Sequence, residues 1–243
     1  MTGKLTGQTA IVTGGAKGYG RGIAAALAEA GADVWITGRD EAALDQAAAA
    51  LGVRATRADV TSGADWDALF ESVTGEAGRV DILINNAGAA VRVAPLVELE
   101  DEEIESAIAV NLTGAILGCR RAGRVMGAQG SGIIINISSV CQRQAWPGWS
   151  VYGAAKAGLG QLSNGLYVEL REAGVRVTTL IPSWGATGFL EAANLEGRSP
   201  EEAAQCIQPA EIGEMVVAIC SLPGHLNLQD CTVWPTVQPV EPL

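Results

Sequence analysis

Histidine is almost missing and cysteine is poorly placed for metal or disulfide chemistry. His225 is the sole histidine among 243 residues. The cysteines Cys119, Cys141, Cys206, Cys220 and Cys231 are an odd set of five with no Cys-x-x-Cys spacing. A zinc site needs clustered ligands and a disulfide framework needs paired cysteines, so neither is indicated and the thiols read as reduced and structural. Basic charge is also short: 16 Lys and Arg face 27 Asp and Glu, a net charge of −11. An acidic surface repels a nucleic-acid backbone or an anionic membrane, so neither is expected as a partner. No apolar run reaches the roughly 20 residues that cross a bilayer, and residues 1–8 hold no signal-like apolar core, so a cytoplasmic location is expected.

Apolar residues make up 48% of the chain and charged ones 18%, a balance that can bury a core rather than stay disordered. Short β-rich apolar runs alternate with segments of helical period. The pattern predicts strands over 9–13, 33–37, 53–58, 80–85, 132–138 and 175–181, with helices over 20–29, 41–51, 64–76 and 150–172. Parallel strands need crossovers, and strands buried on both faces read as continuous apolar runs. The alternation therefore implies an α/β fold with a Rossmann-like doubly wound parallel sheet and helices on both faces. With no linker-like stretch, residues 1–243 read as a single domain. The stretch 187–209, with Gly188, Gly197, Pro200 and Pro209, reads as a substrate loop.

The first strand runs into Thr13-Gly14-Gly15-Ala16-Lys17-Gly18-Tyr19-Gly20. Gly14, Gly18 and Gly20 allow the backbone to turn sharply and to approach a pyrophosphate at a helix N-terminus. The second strand ends in Thr37-Gly38-Arg39, with no carboxylate at the position that usually takes a ribose 2′-hydroxyl. Arg39 offers a planar fork for a 2′-phosphate instead, and Lys17 adds a second cation, which together point to NADP(H) over NAD(H). Further on, Tyr152 and Lys156 share one helix face at i, i+4, after a strand that closes with Ser138-Ser139. A neighbouring ammonium favours a phenolate, so Lys156 is expected to lower the proton affinity of Tyr152 and fit it for acid–base work. Ser138 and Ser139 are rivals for holding the reacting oxygen.

The spacing Thr-Gly-x-x-x-Gly-x-Gly, followed by Asp59-Val60, Asn85-Asn86-Ala87-Gly88, Asn111 and Tyr152-x-x-x-Lys156, resembles the short-chain dehydrogenase/reductase family from about Leu5 to Thr187. The resemblance implies an NADP(H)-dependent alcohol dehydrogenase or ketone reductase. Its catalytic set would be Asn111, Ser139, Tyr152 and Lys156, with the serine chosen by family spacing. Lys156 would also bind the nicotinamide ribose, and Asn111 would hold a water that passes protons to Lys156. Cofactor contacts would extend to Tyr19, Asp59, Val60, Asn86, Ala87 and Gly88. Ile181-Pro182-Ser183-Trp184-Gly185-Ala186-Thr187 is similar to the family's Pro-Gly-x-Val-x-Thr stretch, so Pro182 and Thr187 join the contacts, while Ser183 and Gly185 depart from it.

Val140, Cys141, Gln142, Trp146, Trp149, Trp184, Phe189 and Leu190 are expected to wall a pocket for an apolar or aromatic carbonyl compound. Core packing or a subunit interface is the competing role for each tryptophan. The ending Leu222-Pro223-Gly224-His225-Leu226-Asn227, with Trp234-Pro235-Thr236, is similar to a subgroup acting on small 3-oxo or 3-hydroxy acids, but Trp234 stands where that subgroup has arginine. An NADP(H)-sensing regulator is the reading from a different class. The extended-family epimerases and dehydratases carry a longer C-terminal domain. The small-residue helix over 150–172 and the family's habit lead one to expect a homotetramer, or a homodimer.

Overall fold

The computed structural model describes residues 3–89 and 92–238. Strands β1 (Thr9–Thr13), β2 (Asp33–Gly38), β3 (Arg54–Arg57), β4 (Ile82–Asn85), β5 (Gly132–Ile137), β6 (Val175–Pro182) and β7 (Asp230–Val233) form one sheet in the order β3-β2-β1-β4-β5-β6-β7. Every pairing is parallel. Successive side chains of a strand point to opposite faces, so a strand buried on both must be apolar throughout. Thus Ile133, Ile135 and Ile137 of β5 pack with Val12, Ile36 and Ile84 on one face, while Ile134 packs with Ile11 and Leu83 on the other.

Helices cover both faces. The first is covered by α1 (Gly18–Glu29), α2 (Glu41–Leu51) and α9 (Pro209–Cys220), through residues such as Ile23, Leu44 and Val216. The second is covered by α3 (Gly63–Ala77), α5 (Gly114–Gln129) and α6 (Ser150–Leu170), through Trp66, Met126 and Leu166 among others. Asp40 accepts from the Ala43 amide at the start of α2, and Ser62 from the Asp65 amide at the start of α3. Such caps satisfy amides that have no partner within the helix and contribute about 1 kcal/mol each.

The segment before α5 departs from a regular period. α4 (Asp101–Ile108) leads into a π turn at Ala109–Thr113, which widens the helix by one residue before α5 resumes. The long apolar α9 and the strand β7 complete the sheet and its cover beyond the elements expected from the sequence. The substrate loop expected over 187–209 is not irregular throughout. It carries α7 (Phe189–Ala192) and α8 (Pro200–Ala203), and Gly185 forms a bridge with Ile207 across its base. Among the described residues, no helix is long and apolar enough to cross a membrane, and no group of His, Cys, Asp and Glu could hold a metal ion.

Candidate active site

The strand order reverses between β1 and β4, so the loops at their C-terminal ends diverge and leave a crevice. Hydrogen bonds from Thr13 and Asn86 set its rim. Thr13 Oγ1 accepts from the amides of Asn86 (3.0 Å) and Ala87 (2.9 Å), and Asn86 Nδ2 donates to the carbonyls of Thr13 (2.9 Å) and Gly14 (3.3 Å). The Asn86 side chain therefore ties the end of β4 to the glycine turn, and it meets a ligand only alongside that duty.

A cavity of about 920 Å³ runs from this crevice to the loop over 187–209. All but one of the expected site residues line it: Gly14, Lys17, Gly18, Tyr19, Arg39, Asp59, Val60, Asn86, Ala87, Gly88, Asn111, Ser139, Tyr152, Lys156, Pro182 and Thr187. Gly20 is the exception and corrects the sequence reading. It lies beneath the turn, where a Cβ would overlap the Gly14 carbonyl and stand 2.6 Å from Asn86 Nδ2. Gly20 lets the turn close over the helix and does not line the cavity.

The glycine turn suits an anion. Gly14 has φ +66°, a conformation that disfavours any side chain, and α1 follows Lys17, its N-cap, with no side-chain cap on its amides. Lys17 and Arg39 are exposed on the same cavity and take part in no ion pair or hydrogen bond among the described side chains. Asp40, next to Arg39, is occupied as the cap of α2. The Asp59 carboxylate accepts from the Thr61 amide and hydroxyl, which hold its pKa below the usual carboxylate value. These residues fit a dinucleotide with an extra phosphate: close backbone, free amides, and two cations whose neighbouring acids are engaged elsewhere.

At the other end, Ser139 and Ser138 have different duties. Ser138 Oγ donates to Gln142 Oε1 (2.7 Å) and also lies 3.2 Å from the Lys156 carbonyl. Ser139 Oγ accepts from the Cys141 amide at 3.2 Å and is the serine hydroxyl beside the Tyr152 phenol. The Ser138 contact also draws Gln142 away, so Gln142 does not line the cavity as expected, whereas Val140, Cys141, Trp146, Trp149, Trp184, Phe189 and Leu190 do. Trp149 and Phe189 stack with centroids 6.2 Å apart, and Phe189 lies 5.4 Å from the Tyr152 ring. The wall nearest Tyr152 is therefore aromatic.

Lys156 is buried beneath Tyr152, its Nζ 5.6 Å from the ring centroid and donating to the Ile137 carbonyl at 3.0 Å. Burial brings the Lys156 pKa from 10.5 down to about 8, partly countered by the neighbouring Cys141 thiol. Burial also pushes the Tyr152 phenol up, Cys141 adds to this, and the Ser139 hydroxyl opposes it. The expected lowering of Tyr152 by Lys156 is thus not what the protein alone displays. Desolvation of the charged form is the largest influence on each of them.

Asn111 stands in the π turn and spends both amide hydrogens on backbone, donating to Ala89 O and Ala107 O at 3.0 Å each. Its Oδ1 is buried with no donor among the described residues. Gly88 lies between this oxygen and Lys156: a Cβ there would be 3.0 Å from Oδ1 and 3.8 Å from Nζ.

The departures at Ser183 and Gly185 have partners. Ser183 Oγ donates to Gln238 Oε1 at 2.6 Å, and the Trp184 amide reaches the same oxygen at 3.3 Å. At Gly185, a Cβ would collide with the Tyr19 hydroxyl and lie 2.6 Å from its Cζ. A large residue in the glycine turn is thus matched by a small one in the facing loop. Gln238 and Arg198 line the cavity without having been singled out by their sequence neighbourhoods. Trp234, the position that departs from the acid-handling subgroup, does not line it.

Comparison with known proteins identifies the family and agrees with the fold. The model of the short chain dehydrogenase family matches residues 8–197. Oxidoreductase asL5 of Sarocladium schorii is 37% identical over 225 residues, covering 90% of each chain. The closed form of a serine dehydrogenase complexed with NADP+ superposes with TM-score 0.88 at 28% identity, covering 97% of this chain and 98% of that one. Levodione reductase gives TM-score 0.87 at 28% identity, covering 94% and 96%.

Proposed function

Because the chain belongs to the short-chain dehydrogenase family, we propose that it interconverts a ketone and a secondary alcohol with NADP(H), on substrates with an apolar or aromatic body. The observation that carries this reading is the arrangement within one cavity. Ser139, Tyr152 and Lys156 meet at an aromatic wall, and the unpaired cations Lys17 and Arg39 stand at the glycine-turn end. A serine dehydrogenase of the same fold is complexed with NADP+, which supports the cofactor.

NADP(H) supplies the hydride to, or takes it from, the substrate carbon. In reduction, the Tyr152 phenol gives its proton to the carbonyl oxygen, and in oxidation the phenolate takes it back. Ser139 Oγ donates to the same oxygen and stabilises the charge that develops there. A high phenol pKa in the resting site keeps Tyr152 protonated at neutral pH, the form reduction requires. Lys156, the cation nearest the Tyr152 ring, stabilises the phenolate as the proton leaves. Asn111 Oδ1, a buried acceptor facing Gly88, suits a water that returns the proton by way of Lys156.

NADPH oxidation followed across neutral aryl ketones, aldehydes and 3-oxo acids tests the reading. Turnover of at least one carbonyl class, lost by about 100- to 10,000-fold in Tyr152→Phe with NADPH binding intact, is expected. Equal turnover in Tyr152→Phe would refute the acid–base assignment. An assembly of four copies, placed in the cytoplasm, belongs to the same reading. The half-exposed Ile116 of α5 and the exposed Val168 of α6 support self-association. A monomer in size-exclusion chromatography overturns it.

A further inference from the structure

A further cation lines the cavity beside Trp184. Arg198 lies in the loop between α7 and α8, with its guanidinium carbon 4.7 Å over the Trp184 ring. It is half-buried, lines the cavity, and takes part in no ion pair or hydrogen bond among the described side chains. Glu202, close by in sequence, is occupied by the Ser199 amide at the start of α8. A cation stacked on an indole face is fixed in position, and its fork is left for a planar anion.

Gln238 approaches the same tryptophan from the opposite part of the chain. It is only 7% exposed, and it lines the cavity. An amide N–H can only donate, so the bond from the Trp184 amide assigns the accepting side-chain oxygen, and the Ser183 hydroxyl donates to that oxygen as well. Its Nε2 has no partner among the described residues and is the group left to meet a ligand. Arg198 and the amide nitrogen of Gln238 offer donors only, and an ionised carboxylate offers acceptors only.

We propose that the substrate carries a carboxylate, held by Arg198 over the Trp184 ring and by Gln238 at the Trp184 backbone, while its apolar body lies along Trp149 and Phe189 and its carbonyl reaches Tyr152. This rests on the ketone–alcohol reading above and narrows its substrate to oxo acids and hydroxy acids with an apolar spacer. Tyr19, beside the glycine turn, also feels the Arg198 charge, so a bound dinucleotide is the other source of negative charge at this place.

The test uses 4-oxo-4-phenylbutanoate, 5-oxo-5-phenylpentanoate and their methyl esters. NADPH-dependent reduction is measured, together with tryptophan-fluorescence titration of each compound in the presence of NADP+. The wild type is expected to favour at least one acid over its ester by about 10- to 100-fold in kcat/KM, the scale of one charge-assisted hydrogen-bond pair. Arg198→Met should erase that preference by raising KM for the acid, with the ester and the NADPH Kd unchanged. Arg198→Lys should restore part of it, and Gln238→Leu should lower it by about 10-fold, as for a single hydrogen bond to a charged group.

Equal handling of acids and esters by the wild type overturns the clamp. So does an Arg198→Met protein whose NADPH binding weakens while any acid-to-ester ratio persists, because Arg198 then serves the cofactor. Turnover of esters without preference leaves the oxidoreductase reading standing and removes the clamp. Acid binding that depends on Arg198, with no carbonyl reduced, does the reverse.

Discussion

Replacing Lys156 by methionine should separate stability from activity in a pH-dependent way. The Lys156 pKa falls from 10.5 to about 8 because its ammonium is buried beneath Tyr152. At about 1.4 kcal/mol per tenfold change in proton affinity, that depression corresponds to about 3 kcal/mol. Below pH 8 lysine is charged in both folded and unfolded chains, and the folded protein bears the whole cost. Between pH 8 and 10.5 the folded protein releases the proton while the unfolded chain still holds it, so the wild type gains stability as pH rises. Above 10.5 the cost is gone. Urea unfolding of wild type and Lys156→Met at one fixed protein concentration, at pH 7 and again near pH 10.5, reads this directly. The difference between them should move by about 3 kcal/mol in favour of the wild type. Comparing differences cancels the titrating groups not coupled to Lys156, and also the constant cost of leaving the Ile137 carbonyl without its donor; Cys141, which is coupled to it, is removed by running both proteins in a Cys141→Ala background. Methionine fills similar volume, so a change in packing adds no pH dependence. A stability difference that does not move with pH would refute the account of Lys156 as a cation strained by burial. Activity should be lost throughout the range.

Two more substitutions probe the ends of the cavity. Arg39→Ala should weaken NADPH binding by about 10- to 100-fold while leaving NADH binding unchanged, measured by nucleotide fluorescence titration, since only the extra phosphate meets the guanidinium. Equal loss for both nucleotides would remove Arg39 from the 2′-phosphate. Gly185→Val should lower stability and turnover, because its side chain would collide with the Tyr19 ring. Adding Tyr19→Ile should recover both, and a double variant no better than the single one would show that the two positions are not coupled.

Strands β1, β2, β4 and β5 were legible because burial on both sheet faces favours apolar runs, whereas β3 is part-exposed and polar and β6 carries Arg176 and two threonines; the predicted bounds of all six fall within two residues of the observed ones. The stretch around Asn111 was not, because the π turn at Ala109–Thr113 adds a residue and dephases the helical period that α4 and α5 would otherwise share. Ser139, Tyr152 and Lys156 could be found because their spacing is local. Gln238 and Arg198 carry no such local signal, since they reach Trp184 only through tertiary contacts. Tyr19 and Gly185 show the same limit: each departs from the family pattern alone, and the physical reason is visible only when the two are seen in contact. Gly20 and Gln142 were misassigned for a related reason. Proximity in the chain placed them at the site, but one lies beneath the turn and the other is bonded to Ser138.

Net charge is a poor guide to what this cavity binds, and the local bonding explains why. The chain is acidic by 11 charges, yet Lys17, Arg39 and Arg198 line one cavity unpaired. The carboxylates nearest them in sequence are turned to other work: Asp40 accepts from Ala43, and Glu202 accepts from Ser199. A helix N-terminus draws a carboxylate toward its amides, and each acid committed there leaves a neighbouring cation free to face the cavity. Charges beyond about 8 Å are screened at physiological ionic strength. The acidic outer surface therefore does little to cancel the field inside, and an anionic ligand meets three cations along the cavity, with Asp40 and Asp59 lining it beside Arg39.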